Sequence, residues 1–496
     1  MPRPQTSIEG ALYDLVGRGK KDTFFQRDEA TSINLFDSRY EPTPPYISEL
    51  RLIVPRNRVQ WGGAVEFEIE KAGDILIEPT LLINLPTWLP AGVTSTPVVI
   101  DASAGDVTEI SRANNKSLIR DVSGNAYGYV NGIAYFLFEK IQFYQDNLLL
   151  QEYSGDALFA LRHLRGTYNS AFLEDALTGV HDGSALAIQH AATPSQLRLR
   201  VPLPFCQHVN EGGLPLCALK SQQFRLRVTL RRLEDLVECS DTSAGAKPNP
   251  WERDFIQQLR MGVGGDLTFK SIPRYLMAEP TIYLENKQVY IEGPEQKALC
   301  ADKEEYIATY SRLYENRFTF GAQDYAGNPA ISKRLIEGRH PAEQMYWFFR
   351  SREDLMANRL WKFEPSAATA SASAAVPGVP AYYNAMKLTV AGRDREEYWS
   401  PQVWQDIEAH AKQERYSGRG IGSMNWSYGA QHAHRGPREF SPTGTLNFTS
   451  ADRPTVYVEL APGSRVATSN SQMNLVVDGY GTYSVRDSRG GLLYAN

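Results

Sequence analysis

Residues 439–460 read EFSPTGTLNFTSADRPTVYVEL, from Glu439 to Leu460. Leu446 and Phe448 are apolar positions two apart. Ala451-Asp452-Arg453-Pro454 supplies turn residues, and Val456, Val458 and Leu460 then alternate with Tyr457 and Glu459. Period two is the mark of a half-buried strand, and Asp and Pro between two apolar runs mark a turn. The stretch predicts strand, turn, strand. It holds no acid, base, nucleophile or ligand cluster arranged for catalysis.

The same alternation runs through both halves of the chain. Val65, Phe67 and Ile69 alternate with Glu66, Glu68 and Glu70. Apolar residues cover Ile75–Ile77 and Leu81–Ile83 across Pro79, ending at Pro86. Tyr135–Tyr144 reads as a strand, and Asp146-Asn147 turns the chain into Leu148–Leu150. Leu197, Leu199, Val201 and Leu203 alternate with Arg198, Arg200 and two prolines, and Phe224–Leu230 is the cleanest strand of the first half. The second half repeats the arrangement at Ile282–Leu284, Phe318–Phe320, Met345–Phe349, Met386–Val390, Val456–Leu460 and Met473–Val477. Short strands parted by Gly, Pro, Asn and Asp predict an all-β chain of sandwiches or barrels. Two such sets predict two domains, and residues 249–265, NPWERDFIQQLRMGVGG, break the pattern between them. The expected division is an amino-terminal arm at 1–21, a first domain at 22–257 and a second at 258–496.

Helical signals are few. Ser400-Pro401 ahead of Val403, Trp404, Ile407 and Ala411 predicts a helix with a capping serine and proline at its first position. Asp156–Leu164 predicts a short helix after a strand, and Ile8–Val16 an amphipathic one, with Ile8, Leu12, Leu15 and Val16 on one face. Residues 94–123 are polar and rich in small residues, a surface loop. Pro365–Pro380, PSAATASASAAVPGVP, sits inside the second strand set and predicts a loop projecting outward from it.

The chain has 496 residues, 42% of them hydrophobic and 11% aromatic, enough for a sizeable core. A net charge of -5 is no electrostatic footprint for nucleic acid. Arg225, Arg227, Arg231 and Arg232 cluster, but they follow or alternate with Phe224, Leu226, Val228 and Leu230 and read as the solvated face of a strand. Cys206, Cys217, Cys239 and Cys300 are widely spaced with no CxxC, so neither a zinc site nor a redox pair is signalled, and free thiols in a reducing compartment are expected. The amino terminus lacks the apolar core of a signal peptide, and no apolar run approaches the length of a membrane span. A chain made in the cytosol is expected.

Motif by motif, catalytic chemistry is not supported. Gly19-Lys20-Lys21 lacks the phosphate-loop glycine, having Asp14 five residues earlier, and lacks the Ser or Thr after Lys20. Gly418-Arg419-Gly420-Ile421-Gly422 follows a helical pattern rather than a strand, unlike a dinucleotide site. His432 and His434, with His410 upstream, would share a strand face, but no carboxylate or third His lies at a ligand spacing. Glu304-Glu305 and Glu396-Glu397 read as solvated charges. Asn115, Asn425 and Asn447 begin glycosylation sequons that stay silent without secretion. No catalytic residue, cofactor-binding residue or metal ligand is assigned, and no cofactor is expected.

The segment SPTGTLNFTSAD within 439–460 also resembles the "PSGTCNFSRID" segment of the major capsid proteins of nucleocytoplasmic large DNA viruses. Further pieces match in order. Gly10–Asp22 resembles "GGLxQLVAxGxQD", Gly73–Pro86 resembles "GDLIxxIYLxxxLP", and Tyr129–Gly155 resembles "YVNxxGHAxIxxVEVEIGGQxIDxxYGEW". Arg200–Phe205 and Leu214–Leu219 are similar to "IPLPFWF…LPLIAL", His340–Trp347 to "HPVKELIWV", and Ala391–Arg395 lies where "NGQDR" is expected. Ile33–Tyr40 is similar to "ITFFKVVYRR", though Phe36–Arg39 depart from it. The closing residues Gly490–Asn496 look like the family's chain end.

What the resemblance implies is a double jelly roll: two tandem eight-stranded jelly rolls in one chain, with few short helices. It further implies a structural, non-enzymatic virion protein. Three copies would form a pseudo-hexagonal homotrimer that tiles an icosahedral capsid of a double-stranded DNA virus, assembled in the host cytoplasm. Expected partners are neighbouring capsomers and minor capsid proteins beneath, with the inner membrane nearby, no membrane insertion and no direct nucleic acid. The arm is expected at the capsomer base and the Pro365–Pro380 loop on its outer face. Two other readings stay open: a minor capsid component, or a carbohydrate-binding or carbohydrate-active jelly-roll protein. The last would show acids and aromatics gathered on one concave face.

Overall fold

The computed structural model describes residues 46–88, 120–123, 125, 127–164, 177–180, 196–203, 213–239, 247–251, 253–257, 267–300, 306–327, 330–365, 381–408, 420–427, 444–450, 453–461, 470–486 and 488–493. The expected helix at Ile8–Val16, the arm 1–21, most of the loop 94–123 and the loop Pro365–Pro380 beyond its first residue lie outside the described residues.

Strands, numbered along the chain, build four principal antiparallel sheets. The first runs β1 (Tyr46–Ile53), β14 (Thr281–Ile291), β3 (Ile75–Asn84), β8 (Leu197–Arg200), with β9 (Leu214–Pro215) also on β3. The second runs β2 (Ala64–Ile69), β10 (Phe224–Leu230), β6 (Phe138–Gln145), β7 (Leu148–Tyr153). The third runs β15 (Tyr306–Phe320), β23 (Ser471–Arg486), β17 (Pro341–Ser351), β20 (Ile421–Asn425), with β21 (Leu446–Asn447) on β17 and β24 (Arg489–Leu492) on β23. The fourth runs β16 (Ala330–Arg334), β22 (Thr455–Leu460), β18 (Tyr383–Val390), β19 (Arg393–Trp399). Two small ribbons join β5 (Tyr127–Tyr129) to β11 (Val237–Cys239), and β4 (Arg120–Asp121) to β12 (Asp254–Gln257) and β13 (Leu267–Lys270).

Side-chain alternation becomes two layered cores. Val65 and Phe67 of β2, Leu226 and Val228 of β10 and Phe143 of β6 share one cluster with Leu81, Ile83, Leu199 and Leu284 of the first sheet. Met386 and Leu388 of β18 and Val456 and Val458 of β22 share the other with Met345, Trp347, Phe349, Leu475 and Val477 of the third sheet. Met345, Trp347 and Phe349 of β17 therefore face the second core. Its even-numbered Tyr346 and Phe348, with Val476 of β23, belong to the first. The third sheet is buried on both faces and binds the two sandwiches into one unit. Met345–Phe349, grouped above with the alternating strands, is therefore apolar at every position.

Several local readings change in three dimensions. The strand-turn-strand of 439–460 is not a hairpin: β21 pairs with β17 in the third sheet and β22 with β16 and β18 in the fourth. The chain crosses between the two layers of one sandwich there. Thr281–Ile291, grouped above with the second half, pairs with β1 and β3 of the first sheet. The pattern break at 249–265 contains strand β12, part of a small ribbon. The strand expected over Tyr135–Tyr144 starts only at Phe138: Ile133–Phe136 is a helical turn with all four side chains buried, entered through Gly132 at φ 73. Pro79 lies inside β3 opposite Asn286, and the ladder shifts register one step further on, between Lys287 and Gln288, where a strand proline leaves a donor missing. Two of the predicted helices fall among the described residues, and both are helical there. Gly155–Leu164 is α-helical, and the turn after Ser400 is a π-helix over Val403–Ile407.

Candidate assembly surfaces and the junction between sandwiches

The junction is built around Ser154-Gly155-Asp156, at the end of the segment that resembles the capsid-protein motif. Ser154 Oγ accepts the Ala157 N–H at 3.0 Å and starts the helix. The Ser154 N–H donates to Glu315 Oε1 of β15 at 2.7 Å. Gly155 has no room for a side chain: a Cβ there would sit 2.0 Å from the Tyr135 carbonyl oxygen. Asp156 then places Oδ1 at 2.9 Å from Arg231 Nη2 and 3.0 Å from Arg350 Nη2 of β17. Tyr346 Oη donates to the Ala157 carbonyl at 3.3 Å.

Burial alone would raise the Asp156 pKa, but Arg231 and Arg350 outweigh it and hold the carboxyl well below the usual carboxylate range. Arg350 is itself buried and lies over the rings of Phe136, Phe348 and Phe363 at 5.2–5.8 Å, contacts that suit a weakly hydrated guanidinium. Arg231 does not lie on the solvated strand face that its sequence predicts: only 17% of its side chain is exposed, because helix Gly155–Leu164 brings Asp156 against it. Arg225 and Arg227 do lie outward: Arg225 sits 6.0 Å from the Tyr144 ring centroid, and Arg227 lies across from Glu66 at 3.9 Å.

Beside the junction is a cavity of about 590 Å³, lined by Glu139, Glu152, Arg312, Glu315, Arg317 and Arg339 among others. Burial pushes the Glu315 carboxyl upward. The lining mixes both charge signs.

Among the described residues, β1 carries a run of exposed apolar side chains. Tyr46, Ile47, Leu50 and Leu52 are 55–62% exposed, and β1 pairs only with β14 among the described residues. An outer strand with large apolar side chains is a surface suited to association. The opposite treatment appears on β19 at the edge of the fourth sheet, where Arg393, Asp394, Arg395 and Glu397 are exposed, charges that discourage edge pairing.

The remaining sequence candidates take structural places or fall outside the described residues. Gly420 at φ 72 and Gly422 lead into β20, and Gly422 lies opposite Trp347. Gly19-Lys20-Lys21, His410, His432, His434, Glu304, Glu305, Asn115 and Cys206 lie outside the described residues. Asn425 is buried and its Oδ1 accepts the Ser427 N–H at 2.8 Å; Asn447 Oδ1 accepts the Thr449 N–H at 3.0 Å. The grouping that sequence reasoning missed is Asp74, Cys217 and Cys300, whose ligand atoms lie within 4.8 Å of one another. No local motif signals it, since the three lie far apart along the chain.

No protein-family model matches this chain, and no curated protein matches it. Solved structures do. The chain is similar to the quasi-atomic model of the PBCV-1 virus capsid, with a TM-score of 0.65 and 14% identity over 93% of this chain and 100% of that one. It is similar to PBCV-1 VP54, fitted into a reconstruction of the virophage Sputnik, with a TM-score of 0.64 and 14% identity over the same shares. The Faustovirus major capsid protein aligns with a TM-score of 0.60 and 12% identity over 91% of this chain and 92% of that one. Two sandwiches of four-plus-four principal strands, matched over nearly the full length of both partners, give this chain the double jelly-roll fold of the major capsid proteins of large DNA viruses.

Proposed function

We propose that this chain is a structural major capsid protein, not an enzyme, and that it forms homotrimeric pseudo-hexagonal capsomers of an icosahedral virion. The observation that carries the reading is the doubly buried third sheet. It joins two similar sandwiches in one compact unit, and three such units around a three-fold axis offer six similar sides to their neighbours. The exposed apolar residues of β1 support self-association. The junction between the jelly rolls belongs at 292–305, between β14 and β15, rather than at 257, and the arm 1–21 acts as an assembly contact. Minor capsid proteins beneath the capsomer, a nearby inner membrane and assembly in the host cytoplasm complete the proposal. Among the described residues no helix is long and apolar enough to cross a membrane.

The test is native mass. Analytical ultracentrifugation of the purified chain at micromolar concentration should give a species of three times 55.6 kDa. Obligate interfaces typically bury on the order of 2,000 Å² or more, so the species should persist on dilution. A monomer in native buffer overturns the capsomer reading.

A further inference from the structure

Three side chains of metal-ligating type converge where the first jelly roll hands the chain to the second. Asp74 immediately precedes β3, Cys217 lies in the turn after β9, and Cys300 ends the helix Pro294–Leu299. That helix lies between β14 and β15, on the connection from one sandwich to the other. One ligand atom from each of the three lies within 4.8 Å of the others, and both cysteines are unbridged.

The backbone holds all three positions. The Asp74 N–H donates to the Val289 carbonyl at 2.8 Å, the Cys217 N–H to the Asp74 carbonyl at 3.1 Å, and the Cys300 N–H to the Gln296 carbonyl at 2.9 Å. The carboxylate is oriented as well. Asp74 Oδ2 accepts the Ile291 N–H at 2.8 Å and Oδ1 accepts Gln296 Nε2 at 3.1 Å. Hydrogen bonds of this kind position metal-binding carboxylates, and each oxygen keeps a further lone pair.

We propose that Asp74, Cys217 and Cys300 bind a thiophilic divalent cation of the zinc type, which fastens the helix Pro294–Leu299 to the first sheet. Two thiolates with one carboxylate are a donor set suited to zinc. Zinc bonds of about 2.3 Å to sulfur and about 2.0–2.2 Å to oxygen bring tetrahedral ligands to within ~4 Å of each other, so the trio closes by roughly 1 Å or less. Asp74 is buried while the cysteines are half-buried, which lets a water complete the tetrahedron. Each thiol releases its proton to solvent on binding. Because the three residues come from three elements, the cation opposes local opening of the connection between the sandwiches.

The experiment uses the full chain expressed with added zinc and purified without chelator. Elemental analysis should find about one zinc per chain, and a chelator should lower the thermal midpoint by several degrees. Cobalt in place of zinc should give a thiolate-to-metal charge-transfer band. That band should vanish in Cys217→Ser and Cys300→Ser and persist in Cys239→Ser, with native mass and circular dichroism unchanged in all three. Wild-type chain that retains no zinc and gives no cobalt band overturns the proposal, whatever the variants do. So does a band that survives both substitutions. A Cys217–Cys300 disulfide found by mass spectrometry of the unreduced chain also overturns it, and assigns the pair to a covalent bridge instead.

Discussion

Replacing Asp156 by Asn removes one negative charge from between two guanidinium groups while keeping the side chain's size. The Oδ1 contacts at 2.9 Å to Arg231 and 3.0 Å to Arg350 are each worth about 6 kcal/mol of Coulomb energy at an effective dielectric of about 20, offset by several kcal/mol of desolvation for each ion. Arg231, 17% exposed, can still reach water. Arg350, 4% exposed, cannot, and it is left charged against Phe136, Phe348 and Phe363. Breaking a buried pair from one side costs about 3–5 kcal/mol, and that is the expected loss for Asp156→Asn. The assay is urea unfolding followed by tryptophan fluorescence at fixed protein concentration, because association contributes to apparent stability. Combining Asp156→Asn with Arg350→Met should cost less than the sum of the two single substitutions by about 1–3 kcal/mol, since the orphaned charge is gone. A loss below about 0.5 kcal/mol for Asp156→Asn, or strict additivity in the double variant, refutes the claim that this ion pair ties the sandwiches together. The folded-state pKa of Asp156 is depressed, so its contribution is present above the ordinary aspartate range and is lost as pH falls through it.

Glu238 gives the opposite pH dependence. Burial raises its carboxyl to about 8, against the pull of Trp361 and Arg359. The unfolded chain then loses the proton first, so stability falls as pH rises from about 4.5 to about 8, by at most about 5 kcal/mol. Glu238→Gln, whose amide oxygen can still accept the Trp361 Nε1–H held at 2.6 Å, should flatten the pH profile of the unfolding midpoint; an unchanged slope refutes the assignment. Gly422→Val should destabilise the second core by about 1–3 kcal/mol or more, because a Cβ there lies 2.5 Å from Trp347 Cε2; thermal unfolding reads it, and a neutral result shows that the ring moves freely. Deleting residues 366–379 should leave native mass and folding intact if they project from the second jelly roll, and loss of folding places them in its core. Removing residues 1–20 should leave trimers but abolish shell assembly, scored by sedimentation and electron microscopy; loss of the trimer itself assigns the arm to the capsomer.

Period-two patterning was enough to locate most principal strands, because each outer strand has one wet face and one buried face. Val65, Phe67 and Ile69 of β2 and Val456, Val458 and Leu460 of β22 are the buried members of their strands, as the pattern predicts. The turn at Asp146-Asn147 and the helix after Ser154 were legible for the same local reason: their residues carry the conformational preference themselves. Pairing was not. Nothing local in Leu446–Leu460 says that β21 and β22 enter different sheets, nor in Thr281–Ile291 that it closes the first sandwich, since strand partners come from distant segments and identical alternation serves any of them. Arg231 and Arg350 look like ordinary surface cations until helix Gly155–Leu164 delivers Asp156 between them. Asp74, Cys217 and Cys300 form no motif along the chain, and only the docking of the helix Pro294–Leu299 beside β3 and β9 brings them together. Residue by residue the chain specifies which side of each strand is apolar; which strands share that apolar side is decided by the folded sheets, where burial on both faces of β17 and β23 joins two sandwiches into one body.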